Sequence, residues 1–254
     1  MKKVRVLILK APGTNRDLEA ATAWTSVGAT ISILHINEIL EKPQKLFDFD
    51  ALTLPGGFSY GDDLGAGKVH ALDLTKQMGD LFRKFVDSGR LVIGICNGFQ
   101  TLVKTGIIPD VTLYHNDSGH FECRWIYLAN VNRGKCIFTK GITVFPALVA
   151  HGEGRFVTGS KKRLLELEKN DQIVLKYSDK LGNIAQTYPE NPNGSVNAIT
   201  GICNETGTVF GLMPHPEGAA FDYQLPTWLR GEKKASGLHI FQNAADYLLS
   251  TAFK

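Results

Sequence analysis

Along the N-terminal part of the chain, apolar residues cluster in short runs, mostly without a strict one-in-two alternation. Residues 4–9, 29–35, 51–54 and 91–95 are such runs, rich in Val, Ile, Leu and Ala. Between the first two, the turn Pro12-Gly13-Thr14-Asn15 leads into a helical pattern over 16–27, with Thr14 or Asn15 as its cap and Asp17 and Glu19 set against the helix dipole. A Gly-rich loop after 51–54 leads to a long helix running through 72–88. Strands without alternation have both faces covered, and helices between them make the pairing parallel. The pattern predicts an α/β doubly wound sheet.

The middle of the chain reads differently. Residues 121–131, 143–149 and 172–177 have strand character with turns between them, and the one helical pattern among them is 163–169. This predicts an antiparallel or mixed sheet appended to the first layer. Apolar strands return at 196–203 and 208–213, and a helix over 238–251 closes the pattern. No repeat, low-complexity stretch or Ser/Pro linker divides the chain, and 188–195 (Tyr-Pro-Glu-Asn-Pro-Asn-Gly-Ser) is a turn-rich loop, so a single domain over 1–254 is expected.

Composition narrows the class. A chain of 254 residues with 43% hydrophobic and 21% charged residues buries a sizeable core without a structural metal or disulfides. The formal charge of +3 is mild, and Lys161-Lys162-Arg163 reads as the solvated opening of a helix, so nucleic acid is not an expected partner. No apolar run has the length of a membrane span, and Met1-Lys2-Lys3 leads into a strand without a signal-peptide cleavage pattern. The cysteines Cys96, Cys123, Cys136 and Cys203 have no C-x-x-C spacing and no adjacent histidine, which points away from a zinc site and towards a reduced, cytoplasmic protein with mostly buried thiols.

One cysteine stands apart. In Val92-Ile93-Gly94-Ile95-Cys96-Asn97-Gly98-Phe99-Gln100 a strand enters Gly-x-Cys-x-Gly and a helical pattern follows, ending at Gly106. This is the thiol counterpart of the G-x-S-x-G nucleophile elbow: the sharp turn strains the nucleophile's backbone and brings neighbouring segments too close for side chains two residues away. Cys96 is thereby placed at the C-terminal edge of the sheet, where open α/β sheets bind ligands, with a helix N-terminus behind it to favour a thiolate. An attacked amide needs donors for its developing oxyanion. The Asn97 N–H is one; Gly57, in Leu54-Pro55-Gly56-Gly57-Phe58 at the end of a neighbouring strand, supplies the second.

The base comes from elsewhere, and two His-x-Glu pairs compete: His215-Pro216-Glu217 after strand 208–213, and His151-Gly152-Glu153-Gly154 after strand 143–149. In either, the carboxylate would orient the imidazole as the third member of a triad does. The first is preferred, because its strand is a core strand and Pro214 and Pro216 fix the loop. The second sits between glycines, which suits a mobile or close-packed loop, and His151 is expected to be an ordinary polar surface residue. His35, His70, His115, His120 and His239 have no partner that spacing identifies.

With these residues in view, the chain resembles the class I glutamine amidotransferases, through Pro55-Gly56-Gly57, Gly94-x-Cys96-Asn97-Gly98 and His215-Pro216-Glu217 in that order. Within that class it is similar to the glutaminase subunits of phosphoribosylformylglycinamidine synthases, through Phe58-Ser59-Tyr60-Gly61-Asp62, Cys123-Arg124, Ala150-His151-Gly152-Glu153-Gly154, Asn191-Pro192-Asn193-Gly194-Ser195 and Met213-Pro214-His215-Pro216-Glu217. The resemblance implies a flavodoxin-like, mostly parallel sheet with the appended antiparallel or mixed part. It also implies that Cys96 attacks glutamine to form a glutamyl thioester, with His215 moving protons and Glu217 orienting it. Ammonia would pass to a larger ATP-using synthase subunit, with a small third subunit completing the assembly. No cofactor is implied in this chain; ATP and Mg belong to the synthase subunit. Gln100, Asn116, Ser118 and Phe121 are the implied glutamine-binding candidates, and the His151–Glu153 loop is implied to be structural or partner-facing. The resembled family commonly has an aromatic residue and then an arginine where this chain has Asp63 and Gly65, and often an arginine where Gly218 stands; these departures bear on partner contacts. The competing readings are the glutaminase of another ammonia-consuming synthase, a thiol hydrolase acting on other substrates, and a non-catalytic scaffold.

Overall fold

The computed structural model describes residues 3–231 and 235–251; Met1 and Lys2 of the N-terminal stretch lie outside them. Strands β1 (Arg5–Lys10), β2 (Thr30–His35), β3 (Ala51–Leu54) and β4 (Leu91–Ile95) pair in parallel in the order β2-β1-β3-β4. Helix α1 (Asp17–Ser26) follows β1, and α2 (Ile36–Glu41) follows β2. Alternate residues of β1 feed two cores: Val6 and Ile8 pack with Trp24 of α1, while Leu7 and Leu9 pack with Ile36 and Ile39 of α2. Both faces of the strand are buried, which is why its sequence does not alternate.

The segment expected as one helix over 72–88 is broken. It consists of α3 (Lys68–Leu72), a π-helical turn at Asp73–Gln77, and α4 (Leu81–Asp87). Gly79, at φ +57, separates the last two, a backbone angle that a continuing helix does not contain. The expected side-chain cap of α1 is absent too: the Thr14 hydroxyl accepts from the Ala11 N–H at 3.1 Å, and Arg16 precedes the helix without a side-chain cap. Asp17 instead pairs with Lys10 at 2.8 Å. The unexpected helix α2 is capped by His35, whose ring nitrogen accepts from Asn37 N–H at 3.3 Å while Glu38 accepts from His35 N–H at 2.9 Å.

After α5 (Asn97–Lys104) the chain forms β5 (Val111–Tyr114), β6 (Glu122–Asn130), β7 (Val144–His151) and β8 (Arg155–Thr158), then α6 (Lys161–Lys169), β9 (Ile173–Ser178), β10 (Ile199–Cys203), β11 (Val209–Leu212) and α7 (Gly237–Ser250). The expected strand 196–203 begins as a 3-10 turn, with Asn197 at φ +50, before β10. Among the described residues the antiparallel strands do not form a separate layer. They continue the parallel sheet edge to edge, giving nine strands in the order β2-β1-β3-β4-β11-β10-β9-β6-β7. The unforeseen β5 and β8 form a two-stranded antiparallel ribbon. No described helix is long and apolar enough to cross a membrane.

The placement of β11 matters most. It pairs in parallel with β4, Leu212 opposite Ile95, and antiparallel with β10, so the late strand enters the middle of the sheet beside the strand that carries Cys96.

Candidate active site

Cys96 follows β4 directly, with φ +51 and ψ −106, a conformation that L-residues avoid and that marks a strained elbow. The elbow requires its glycines: a Cβ on Gly98 would lie 2.6 Å from the Leu54 carbonyl carbon and closer still to its oxygen. Helix α5 therefore approaches β3 to backbone contact. The Cys96 N–H donates to the Leu212 carbonyl at 2.8 Å, so the strand pairing itself aims the end of β11 at the thiol.

His215 lies just beyond that end. Its N–H donates to the Leu148 carbonyl of β7 at 2.8 Å, and the turn Pro216–Ala219 returns Glu217 to the imidazole. His215 Nδ1 stands 2.6 Å from Glu217 Oε1, both residues being buried. Gln224 secures the turn, its Nε2 donating to the Glu217 carbonyl at 3.0 Å. With Nδ1 engaged by Glu217, Nε2 is left for Cys96, which acts electrostatically on the ring. Burial alone would lower the His215 pKa. The Glu217 carboxylate and Cys96 outweigh it and raise the value to about 10, so the ring is held as an imidazolium against the sulfur.

The expected oxyanion donors flank the same space. Asn97 opens α5, where helical N–H groups have no intrahelical acceptor. The bridge between Thr14 and Gly57 runs through Asn15 N–H to Gly56 and Phe58 N–H to Gly13, which leaves the Gly57 N–H out of the ladder. Gly57 sits at φ +145, open to glycine and not to other residues.

A cavity of about 210 Å³ opens above Cys96, with Gly57, Gln100, Phe121, His151 and Glu153 in its wall. Two larger clefts, of about 510 and 490 Å³, lie elsewhere and contain no nucleophile–base pair. Of the residues expected to bind glutamine, Gln100 and Phe121 are in this wall. The Gln100 amide is anchored on both ends, donating to the Glu153 carbonyl at 2.7 Å and accepting from Asn97 Nδ2 at 2.9 Å. Asn116 and Ser118 do not line the cavity. Asn116 is a buried bolt for the neighbouring loop, donating to the carbonyls of His120 and His151 at 2.9 and 2.8 Å and accepting from Gly154 N–H at 3.1 Å. Ser118 is exposed, its hydroxyl accepting from His120 N–H at 3.3 Å within a turn.

The expectation for His151 needs correction. The residue is 2% exposed, not a surface polar group, and its loop forms the cavity wall. The ring contacts Asn116 at 3.2 Å and Asn193 at 3.4 Å. Burial, and then the charge on His215, lower its pKa to about 4, which keeps it neutral. The Ala150 carbonyl oxygen beside it lies 3.6 Å from the Cys96 sulfur. Asp62, also in the wall, entered the sequence reading only as the last residue of the Phe58-Ser59-Tyr60-Gly61-Asp62 motif, with no role assigned to it.

Comparison with known proteins finds relatives across nearly the whole chain. The sequence model described as a CobB/CobQ-like glutamine amidotransferase domain matches residues 3–248. A Dehalococcoides mccartyi protein called phosphoribosylformylglycinamidine synthase subunit PurQ is 46% identical, across 97% of this chain and 98% of its own length. A Treponema denticola protein of the same name is 41% identical across 97% of this chain and 100% of its own. Among solved structures, that of PurLQS from Thermotoga maritima superposes with a TM-score of 0.76 at 32% identity, over 97% of this chain and 100% of the other. A Thermotoga maritima glutamine amidotransferase, at 16% identity and a TM-score of 0.59, shares the fold.

Proposed function

The chain belongs to the CobB/CobQ-like glutamine amidotransferase family, and from that premise we propose that it is the glutaminase subunit of a phosphoribosylformylglycinamidine synthase, with Cys96, His215 and Glu217 as its catalytic triad. The observation that carries the reading is the strained Cys96 elbow facing a buried His215–Glu217 pair across adjacent strands. The Cys96 thiolate attacks the side-chain amide carbon of glutamine, and the oxyanion is met by the N–H groups of Asn97 and Gly57. The His215 imidazolium gives its proton to the departing nitrogen, ammonia leaves, and a glutamyl thioester remains. Neutral His215 then takes a proton from water as it attacks the thioester, releasing glutamate and restoring the thiolate–imidazolium pair. Glu217 fixes the ring through Nδ1 throughout.

Ammonia passes to a larger synthase subunit, which uses ATP and Mg to convert formylglycinamide ribonucleotide to its amidine, and a small third subunit completes the assembly. The names of the relatives and the likeness to PurLQS from Thermotoga maritima support this partnership. The chemistry in this chain calls on no cofactor of its own, and the pathway places the protein in the cytoplasm.

The test is covalent labelling with a glutamine-derived diazo ketone, in the presence of the synthase subunits and nucleotide. One adduct on Cys96, prevented by excess glutamine, is the expected result, and Cys96→Ala is expected to abolish glutamine hydrolysis. An unlabelled Cys96 would return the chain to the scaffold reading.

A further inference from the structure

Within the cavity above Cys96, the charged side chains in the wall are carboxylates, Asp62 and Glu153. Glutamine is a zwitterion whose reacting amide must face the thiol, so its α-ammonium has to be received elsewhere in the same space. We propose that Asp62 binds that α-ammonium through Oδ2 and so selects amino-acid amides over amides lacking the charge. The proposal rests on the glutaminase reading of the site and deepens it.

The hydrogen bonds divide the carboxylate in two. Asn97 Nδ2 donates to Asp62 Oδ1 at 3.0 Å, and the Gly67 N–H donates to the same oxygen at 3.2 Å. Oδ2 accepts no hydrogen bond among the described residues, is not sealed from solvent, and belongs to a residue of the cavity wall. Asn97 is the residue after the nucleophile, and its amide ties the Asp62 carboxylate to the elbow. The backbone is strained to hold this position: Tyr60 and Asp62 are non-glycine residues at φ +55. Left-handed strain of this kind concentrates at ligand clamps.

The electrostatics agree. Burial, the largest influence, raises the Asp62 pKa; the Gly67 and Asn97 hydrogen bonds lower it, and the charge of Glu153 raises it again. Lys104 acts on Asp62 at a distance, without an ion pair among the described residues. A carboxylate that is half-buried and beside a second acid gains from an ammonium placed between them. A purely structural role would use Oδ1 alone, and an asparagine would fill it.

That distinction sets the test. Hydrolysis of L-glutamine is compared with that of glutarate monoamide, which is glutamine without its α-ammonium, by the chain assembled with its synthase partner. In the wild type the ratio of kcat/KM values favours glutamine. In Asp62→Asn, which keeps an oxygen for the Asn97 and Gly67 bonds, that ratio is expected to fall about 10- to 100-fold through KM, the range of a charge-assisted hydrogen bond. Equal losses for both substrates, or a wild type that does not discriminate between them, would overturn the proposal while leaving the glutaminase reading intact. Hydrolysis of neither substrate would take down both. A second measurement needs no variant: protection of Cys96 from alkylation in the wild-type assembly by L-glutamate and by glutarate. Protection by glutamate alone supports the role of Asp62; equal protection overturns it.

Discussion

Cys96 is held where it is by what the residues around it lack. Because Gly98 lies against the Leu54 carbonyl, Gly98→Ala is expected to push α5 off β3 and destabilise the fold by about 1–3 kcal/mol, the usual range for overpacking. Urea denaturation measures that loss, and the alkylation rate of Cys96 reports the displaced elbow; a variant equal to wild type in both would contradict the contact. The His215 ring makes a second prediction. Its raised pKa, about 10, comes from Glu217 and Cys96 overcoming burial, so Glu217→Gln is expected to move its titration midpoint down. An unchanged midpoint by nuclear magnetic resonance would exclude the carboxylate as a cause. The sign for stability follows: the pair's contribution is complete below the ordinary histidine pKa of about 6.5 and is lost as pH rises through the raised value. At this scale the elbow and His215-Pro216-Glu217 were legible, because both are local spacings around chemically distinctive residues. The placement of Asp62 and His151 in the cavity wall was not, because it comes from burial and from loops that meet only in the folded chain. Asn116 lies beside the cavity and holds its wall through hydrogen bonds without lining it.

Among the elements, the parallel strands were legible as apolar runs, and β3 and β4 fall on the predicted residues. The break between α3 and α4 was hidden by a helical apolar pattern that continues through Gly79, and α2 was hidden because its cap is a histidine instead of Ser, Thr, Asp or Asn. The neighbours of β11 could not be read from strand order, since its partner β4 is remote in sequence. The packing of that strand gives a testable contact. A Cβ on Gly211 would stand 2.5 Å from Cε2 of Phe99 in α5, and closer to Cδ2. Gly211→Ala is expected to cost about 1–3 kcal/mol. Phe99→Leu in the same chain is expected to recover part of it, the positive coupling of a double-mutant cycle between touching residues. Additive effects would show that the ring is not what Gly211 makes room for.

For the whole molecule, two buried histidines set the acid limit. Burial, followed by a neighbouring histidine in each case, lowers the pKa of His70 and of His151 to about 4. Both are neutral when folded, while the unfolded chain protonates them near pH 6.5 or so. Stability is therefore complete above about 6.5 and falls as pH drops towards the folded values, by on the order of 3 kcal/mol for each ring. His70→Gln is expected to flatten part of that slope in urea titrations across the range; an unchanged slope would remove His70 from the account. Over the same scale, the position of β11 has a consequence for synthesis. Strand β4, which leads to Cys96, leaves the ribosome long before β11, the strand that lies against it and leads to His215. Until then the nascent sheet ends at β4 with an unpaired edge, the kind of edge that invites aggregation. Closing that edge also brings His215 towards Cys96, so the newborn chain assembles the proposed triad only as it loses its adhesive edge.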